Sequence, residues 1–182
     1  MKRILLFGGI LAGLLAAVAL YRALQPTPAP LPTVASVDLQ RYAGTWYEVA
    51  VIPNRFEKGC HCTTAQYTPK DGYVEVRNTC RKGSPTGKAD GALGKAFPVE
   101  GSHNAKLRVQ FFWPFRGDYW ILDLAPDYSH ALVGSPDRQY LWILARTPQL
   151  DSAIHARLSQ KAQELGFDTK LLVKVDQSCG ER

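Results

Sequence analysis

Four cysteines and one histidine offer the most reactive chemistry in the sequence. Cys60, His61 and Cys62 form a short cluster, and Cys80 and Cys179 follow at longer intervals. Zinc sites more often use Cys-x-x-Cys pairs with a second pair or with histidines at fixed spacing, so we expect no metal here. We favour two disulfide bonds, because the chain starts with a segment typical of export to an oxidising compartment. Four cysteines allow three pairings, and sequence alone does not select one.

Motifs of the common catalytic classes do not occur. The sequence has no Gly-x-Ser-x-Gly elbow, no His-Glu-x-x-His pair, no phosphate-binding loop and no dinucleotide fingerprint. Nothing in the spacing of the four histidines, His61, His103, His130 and His155, brings them together. We therefore expect no catalytic residues and no cofactor. An enzyme that uses a reduced Cys60 or Cys62 is one alternative, and a thiol titration of the unreduced protein would reveal it.

Aromatic residues give the stronger signal. Six of them fall in predicted strands, where alternate side chains point to opposite faces: Trp46, Tyr67, Trp113, Tyr119, Trp120 and Trp142. Small residues in the same strands would leave open volume between them: Ala50, Ala65, Gly91, Ala92, Gly94 and Ala96. Such a pattern fits a barrel that holds one small ligand or a barrel filled by its own side chains. We expect the ligand cavity, and a filled structural or interaction domain is the second alternative.

Short β-strands are the elements that must position these residues. From Thr45 to Arg146, apolar and aromatic runs alternate with turn residues about every 8 to 12 positions, as in antiparallel sandwiches and barrels. Strands are predicted at 45–53, 62–69, 73–80, 92–99, 105–113, 118–125, 129–135 and 139–146. Eight strands suffice to close a barrel around a small ligand.

One amphipathic helix follows the strands. Apolar residues recur at helical spacing from Leu150 to Leu165, with Asp151 or Ser152 available as the N-cap and Gly166 to end the helix. The prediction is a helix over 151–165 that covers the outside of the sheet, followed by a short strand over 171–175.

Residues 1–24 predict a signal peptide or a signal anchor. Lys2 and Arg3 precede an uninterrupted apolar run over 4–20, about as long as the shortest membrane-spanning helices. Ala17-Val18-Ala19 fits a cleavage site, whereas Tyr21 and Arg22 fit the aqueous end of an anchor. Both alternatives stay open, and the uncleaved form would contact the membrane through this segment.

Export to the periplasm or cell envelope follows from that segment. A diacylated lipoprotein needs a cysteine just after the apolar run, but the first cysteine is Cys60, so we expect no such lipidation. Alternating prolines predict an extended linker over 25–36, which leaves 37–182 as the folded domain.

The charge of the chain argues against nucleic acid as a partner. Of 22 Lys and Arg, three lie in the first 24 residues, and the remaining 19 are scattered among 16 Asp and Glu. Nucleic-acid binding requires Lys and Arg clustered on one face. We expect no nucleic-acid partner.

Several short motifs follow one another along the predicted strands. Gly44-Thr45-Trp46-Tyr47-Glu48 opens the first strand, and Leu141 to Pro148 reads Leu-Trp-Ile-Leu-Ala-Arg-Thr-Pro. Between them stand the segments Phe56-Glu57-Lys58-Gly59, Ala65-x-Tyr67, Asp71-Gly72 and Val76-x-Asn78. In this order the motifs resemble those of the lipocalin family, in its bacterial lipocalin and apolipoprotein D branch, over about 37–179.

The resemblance implies an all-β fold. This is an eight-stranded antiparallel up-and-down β-barrel, closed at one end, with one C-terminal α-helix packed outside and here an N-terminal apolar signal or anchor helix before it. It also implies a function, which is to carry or store a fatty acid, lysophospholipid or similar small lipid in the barrel cavity.

Roles for single residues follow from the same resemblance. Gly44, Trp46 and Arg146 would be structural, with the guanidinium stacked on the indole at the closed end. The ligand would contact Tyr67, Asn78, Trp142 and either Tyr119 or Trp120, with the choice between those two left open. Cations on predicted loops could meet an anionic head group: Arg55, Lys58, Arg81, Lys82 and Arg116.

The resemblance also implies the disulfide pairing. Cys62 would pair with Cys179 and pin the C-terminal tail to the barrel, which leaves Cys60 for Cys80. The length of the loop between the second and third strands sets which residues face each other across them. A three-residue loop would place Cys62, rather than Cys60, opposite Cys80, so the strand register is only a weak test of this pairing.

Overall fold

A computed structural model describes residues 30–179, and the predicted signal segment 1–24 lies outside them. A short helix, α1, spans Leu39–Tyr42. The strands are β1 Gly44–Val51, β2 Cys60–Lys70, β3 Tyr73–Lys82, β4 Ala89–Pro98, β5 Lys106–Gln110, β6 Gly117–Leu124, β7 His130–Gly134 and β8 Leu141–Ala145. Helix α2, Ser152–Glu164, a 3₁₀ turn at Thr169–Leu171 and a two-residue strand β9, Val173–Lys174, complete the domain.

The eight strands close into an antiparallel barrel. Each strand from β2 to β8 pairs with its neighbour in sequence, β8 pairs with β1, and β1 pairs with β2. The predicted eight-stranded barrel with an outer helix is thus confirmed, and β9 is an extra strand beside β1. Because the chain runs up and down, the loops at 52–59, 83–88, 111–116 and 135–140 share one end, which we call the open end.

Period-two alternation divides the buried residues into an inner and an outer cluster. The inner cluster includes Trp46, Tyr67, Val76, Leu107 and Tyr119. The outer cluster joins the sheet to α2. Asp151 caps that helix, because its Oδ1 accepts hydrogen bonds from the amides of Ala153 and Ile154. At Gly134, an added Cβ would lie 2.6 Å from Phe167 Cζ, so this close packing requires glycine.

The folded unit starts at Leu31 rather than near Val37. Leu31 is 4% exposed and belongs to the outer cluster. The amide of Val34 donates to the carbonyl of Ile121, and that of Val37 donates to the carbonyl of His103. This segment and α1 cover the second end of the barrel, the closed end. These contacts hold the last residues of the predicted linker, 25–36, on the barrel.

A β-bulge explains both disulfide bonds. The β2–β3 turn has only two residues, because Lys70 pairs with Tyr73. The register then shifts between His61 and Thr64, where Cys62 has a φ of 52°. One extra residue turns the following side chains to the other face, so Cys60 reaches Cys80 and Cys62 reaches Cys179.

Strand β5 is shorter than predicted. It ends at Gln110 rather than near 113, and Trp113 lies in the following loop with 86% of its surface exposed. The expectation that Trp113 lies in a strand was wrong, because the aromatic run that predicted strand continues into the loop. Within residues 30–179, no helix is long and apolar enough to cross a membrane.

Candidate functional site

Three tyrosines form the floor of the barrel. The hydroxyl of Tyr119 lies 2.7 Å from that of Tyr42 and accepts a 2.9 Å hydrogen bond from that of Tyr67. The Tyr42 ring lies 4.8 Å from that of Trp46 and 5.4 Å from that of Tyr67. Burial raises the pKa of all three tyrosines, so the cluster stays neutral at physiological pH. The closed half of the barrel is therefore filled by its own side chains.

The open half is more accessible. Ala92 and Asn78 face each other across β3 and β4 on the inner wall, where Ala92 is exposed and Asn78 is half-buried. Trp142 on β8 is also half-buried. The Oδ1 atom of Asn78 is itself buried, and within residues 30–179 it has no hydrogen-bond partner. A polar group on a ligand would satisfy it.

A pair of carboxyl groups stands beside Trp142. Glu48 on β1 is 5% exposed, and burial, followed by the nearby carboxyl group of Glu57, raises its pKa well above the usual range. Glu57 accepts hydrogen bonds from the Asn54 amide group and, at 3.3 Å, from Trp142 Nε1. The 52–59 loop is thereby held over the inner wall, with the buried carboxyl group of Glu48 beneath it.

Aromatic rings lead from this pair to solvent. The ring of Tyr140 stacks on that of Trp142 with centroids 6.0 Å apart and planes inclined by 8°. Phe56, 63% exposed, lies 6.2 Å from Tyr140. The guanidinium of Arg55 lies 4.8 Å from the centroid of Phe56. One side of the open end is thus aromatic from the interior to the surface.

A cavity of about 570 Å³ opens at the same place. Its size falls in the range of small-molecule sites. The lining comes from β1, the 52–59 loop, the start of β2 and the C-terminal segment: Glu48, Val51, Pro53–Asn54–Arg55, Glu57–Lys58–Gly59–Cys60–His61, Thr63 and Val173–Lys174–Val175–Asp176. Beside it, Gln177 Nε2 donates to the carbonyls of Glu48 and Thr63, which closes the space between β1 and β2.

The structure separates the predicted ligand residues. Tyr67 and Tyr119 lie in the floor, and Asn78 and Trp142 lie higher on the inner wall. None of these four residues lines the 570 Å³ cavity. Trp142 donates a hydrogen bond to Glu57, and Glu57 is one of the lining residues. Of the two alternatives at 119–120, Trp120 lies on the outer face with the cation of Lys106 4.0 Å from its ring centroid. It was a wrong candidate, because adjacent residues in a strand face opposite ways.

The predicted structural trio lies together at the closed end. Arg146 stacks on Trp46 with 3.9 Å between the guanidinium carbon and the ring centroid. It also donates to the carbonyls of Thr45, Arg41 and Tyr128. Gly44 has a φ of +90°, a conformation that favours glycine.

The predicted rim cations have varied surroundings. Arg55 and Arg116 lie over phenylalanine rings, and Lys82 pairs with Asp90 at 3.7 Å. Lys58 and Arg81 are exposed.

Sequence reasoning missed the carboxyl pair and Tyr42. A signal for Glu48 existed, because it stands two residues after the inward-facing Trp46 on the same strand. Glu57 and Tyr42 lie outside the strands, where alternation predicts nothing.

Comparison with known proteins identifies the family. The family model described as "Lipocalin-like domain" matches residues 37–177. The chain belongs to the lipocalin family. Temperature-induced lipocalin-1 of Arabidopsis thaliana is 41% identical over 157 residues, which cover 81% of this chain and 83% of that protein. Outer membrane lipoprotein Blc of Vibrio cholerae serotype O1 is 38% identical over 152 residues, with 82% and 88% covered. Apolipoprotein D of Mus musculus is 36% identical over 162 residues, with 83% and 82% covered.

Solved lipocalin structures share the fold. Lobster apocrustacyanin A1 superposes with a TM-score of 0.64 at 20% identity, covering 85% of this chain and 93% of that one. Insecticyanin from the tobacco hornworm Manduca sexta gives 0.65 at 20% identity, with 83% and 85% covered. Lipocalins bind small hydrophobic ligands, and the resemblance seen in the sequence motifs is confirmed at the level of the family.

Proposed function

We propose that this lipocalin binds a single-chain lipid in the open half of its barrel and carries or stores it in the cell envelope. One observation carries the proposal: the inner wall is sealed near Trp46 but accessible near Asn78 and Trp142. The adjoining cavity and the unpartnered Asn78 Oδ1 support it. The role is binding rather than catalysis.

Burial of the lipid tail supplies the affinity. Each methylene removed from water contributes about 0.8 kcal/mol, so a tail of roughly 12 to 16 carbons gains on the order of 10 kcal/mol. Lost freedom on association costs about 4 to 15 kcal/mol. A preformed barrel whose loops are held by two disulfide bonds keeps that cost towards the lower end.

The carboxyl pair favours a lysophospholipid over a fatty acid. Glu48 and Glu57 occupy the wall beside Trp142, and the anionic head of a fatty acid placed there would be repelled by Glu57. A head group that also carries an ammonium group would be attracted instead. Envelope localisation rests on the export segment and on relatives named outer membrane lipoproteins.

A matched lipid titration tests the proposal. Lysophosphatidylethanolamine and the fatty acid of the same chain length are titrated separately while tryptophan emission is recorded. We expect saturable quenching with one lipid per protein and tighter binding of the lysophospholipid. No saturable change with either lipid would contradict the proposal and favour a filled structural barrel.

A thiol assay tests the alternative that the protein is an enzyme with a reduced Cys60 or Cys62. All four cysteines are paired, so a thiol titration of the unreduced protein should find none free.

A further inference from the structure

Within residues 30–179, the most exposed large apolar side chains lie in one loop at the open end. Phe112, Trp113 and Phe115 are 73%, 86% and 76% exposed. They belong to residues 111–116, which join β5 to β6 and which we call the aromatic loop. Three such rings in six residues expose apolar surface that soluble proteins usually bury or use for binding.

The loop is held in place by its other residues. Phe111 lies against Gly94, where an added Cβ would be 2.7 Å from Phe111 Cδ1. The amide of Phe115 donates to the carbonyl of Phe112 at 2.9 Å, which closes a turn. Arg116 folds back over Phe97 with 4.5 Å to the ring centroid. The three exposed rings therefore project from an anchored turn and have no role in the described core.

A second exposed aromatic lies across the mouth. Phe56 belongs to the loop between β1 and β2, and the aromatic loop joins β5 and β6. In the closed order of eight strands these two connections are half a circuit apart. A flat apolar surface in contact with both would lie across the barrel mouth.

The charges at this end complement an anionic surface. The four open-end loops carry five cations and two acids: Arg55, Lys58, Lys88, Arg116 and Arg138, against Glu57 and Asp137. Both acids are engaged locally, Glu57 with Trp142 and Asp137 with Ser135. The three turns between strands at the closed end carry Asp71, Glu100 and Asp127 and no Lys or Arg.

We propose that the open end docks on an anionic phospholipid bilayer. Tryptophan and phenylalanine insert at the head-group level of membranes, and nearby Lys and Arg bind the anionic surface. The barrel mouth then faces the bilayer, and a lipid can pass between them without crossing water. This docking surface stands on the loops alone, whether or not the barrel holds a lipid.

Depth-dependent fluorescence quenching of the full chain tests the docking. The protein is added to vesicles of brominated phosphatidylcholine, with and without phosphatidylglycerol. Subtracting the signal of a Trp113→Phe variant isolates Trp113. We expect bromine to quench Trp113 when phosphatidylglycerol is present, and aqueous iodide to quench it in buffer only. This readout is local to the loop, so it is independent of any anchoring by the N-terminal segment.

Two double variants test whether docking depends on the cations at the barrel mouth or on the positive charge of the protein in general. Each cation near an anionic surface contributes about fivefold to binding, so Lys88→Gln with Arg116→Gln should weaken docking about 25-fold. Lys70→Gln with Arg77→Gln, exposed sites away from the mouth, removes the same charge and should leave quenching unchanged.

Three results would overturn the proposal. The first is that iodide still quenches Trp113 in the presence of the vesicles. The second is that both charge variants lose the same amount of docking. The third is that sedimentation shows a dimer in which Trp113 is protected from iodide without lipid. The lipid titration of the cavity is independent of these results, because the aromatic loop does not line the 570 Å³ cavity.

Discussion

The two ends of the barrel are stabilised in different ways. At the closed end, Trp46 is fully buried between Tyr42 and Arg146, whose guanidinium donates to three backbone carbonyls. At the open end, two disulfide bonds and a carboxyl pair fix the loops, while aromatic rings stay exposed. Covalent bonds hold a loop without burying apolar surface. The open end can therefore keep its apolar surface exposed, as the proposed lipid binding and membrane docking require.

Trp46→Ala should have the largest effect on stability. Removing a fully buried tryptophan costs about 4 kcal/mol of unfolding free energy through lost burial and a residual cavity. Urea unfolding measures it. Lipid affinity per folded molecule should change little, and a loss of affinity without a loss of stability would reverse the roles assigned to the two ends.

Loss of the Cys62–Cys179 bond should come next. The double variant Cys62→Ser with Cys179→Ser opens a loop with a sequence separation of 117 and should cost about 4 kcal/mol. The matched variant Cys60→Ser with Cys80→Ser opens a separation of 20 and should cost about 1 to 1.5 kcal/mol less. Equal unfolding free energies for wild type and the first variant would show that the tail does not hold the open end.

Trp142→Ala should weaken lipid binding rather than folding. The expected loss is about 2 kcal/mol, or roughly 30-fold in affinity, because this half-buried ring faces the open half of the barrel. Trp120→Ala is the matched control on the outer face and should bind lipid like the wild type. Equal affinities for both variants would remove Trp142 from the site.

Glu48→Gln should change the pH dependence of stability. Its pKa is raised in the folded protein, so the folded state binds more protons than the unfolded state above about pH 4.3. The free energy of unfolding should fall as pH rises from there towards the raised pKa, by at most about 1.4 kcal/mol per pH unit. Thermal unfolding at several pH values should show a flatter profile for the variant, and identical profiles would contradict a raised pKa for Glu48.

Alternation along the chain predicted the fold well. Val, Ile and aromatic runs separated by turns defined eight strands, and Asp151, one of the two N-cap candidates, caps α2. Alternation could not separate Tyr119 from Trp120, because neighbours always face opposite ways, and only the pairing of Tyr119 with the inner residue Leu107 fixes which of the two is inside.

Register shifts and loops account for what the sequence did not predict. Bulges between Glu48 and Ala50 and between His61 and Thr64 change which side chains face inward. Neither shift leaves a signal in composition. The approach of Glu57 to Trp142, 85 positions away in sequence, depends on the path of a loop, which the strand pattern does not define.

Native mass spectrometry of protein freshly isolated from its own cells tests the central claim most directly. We expect a population heavier by the mass of one single-chain lipid, abundant in wild type and in Trp120→Ala but depleted in Trp142→Ala. Only the bare protein mass in all three, even after incubation with lysophosphatidylethanolamine, would contradict a lipid site in the open half of the barrel.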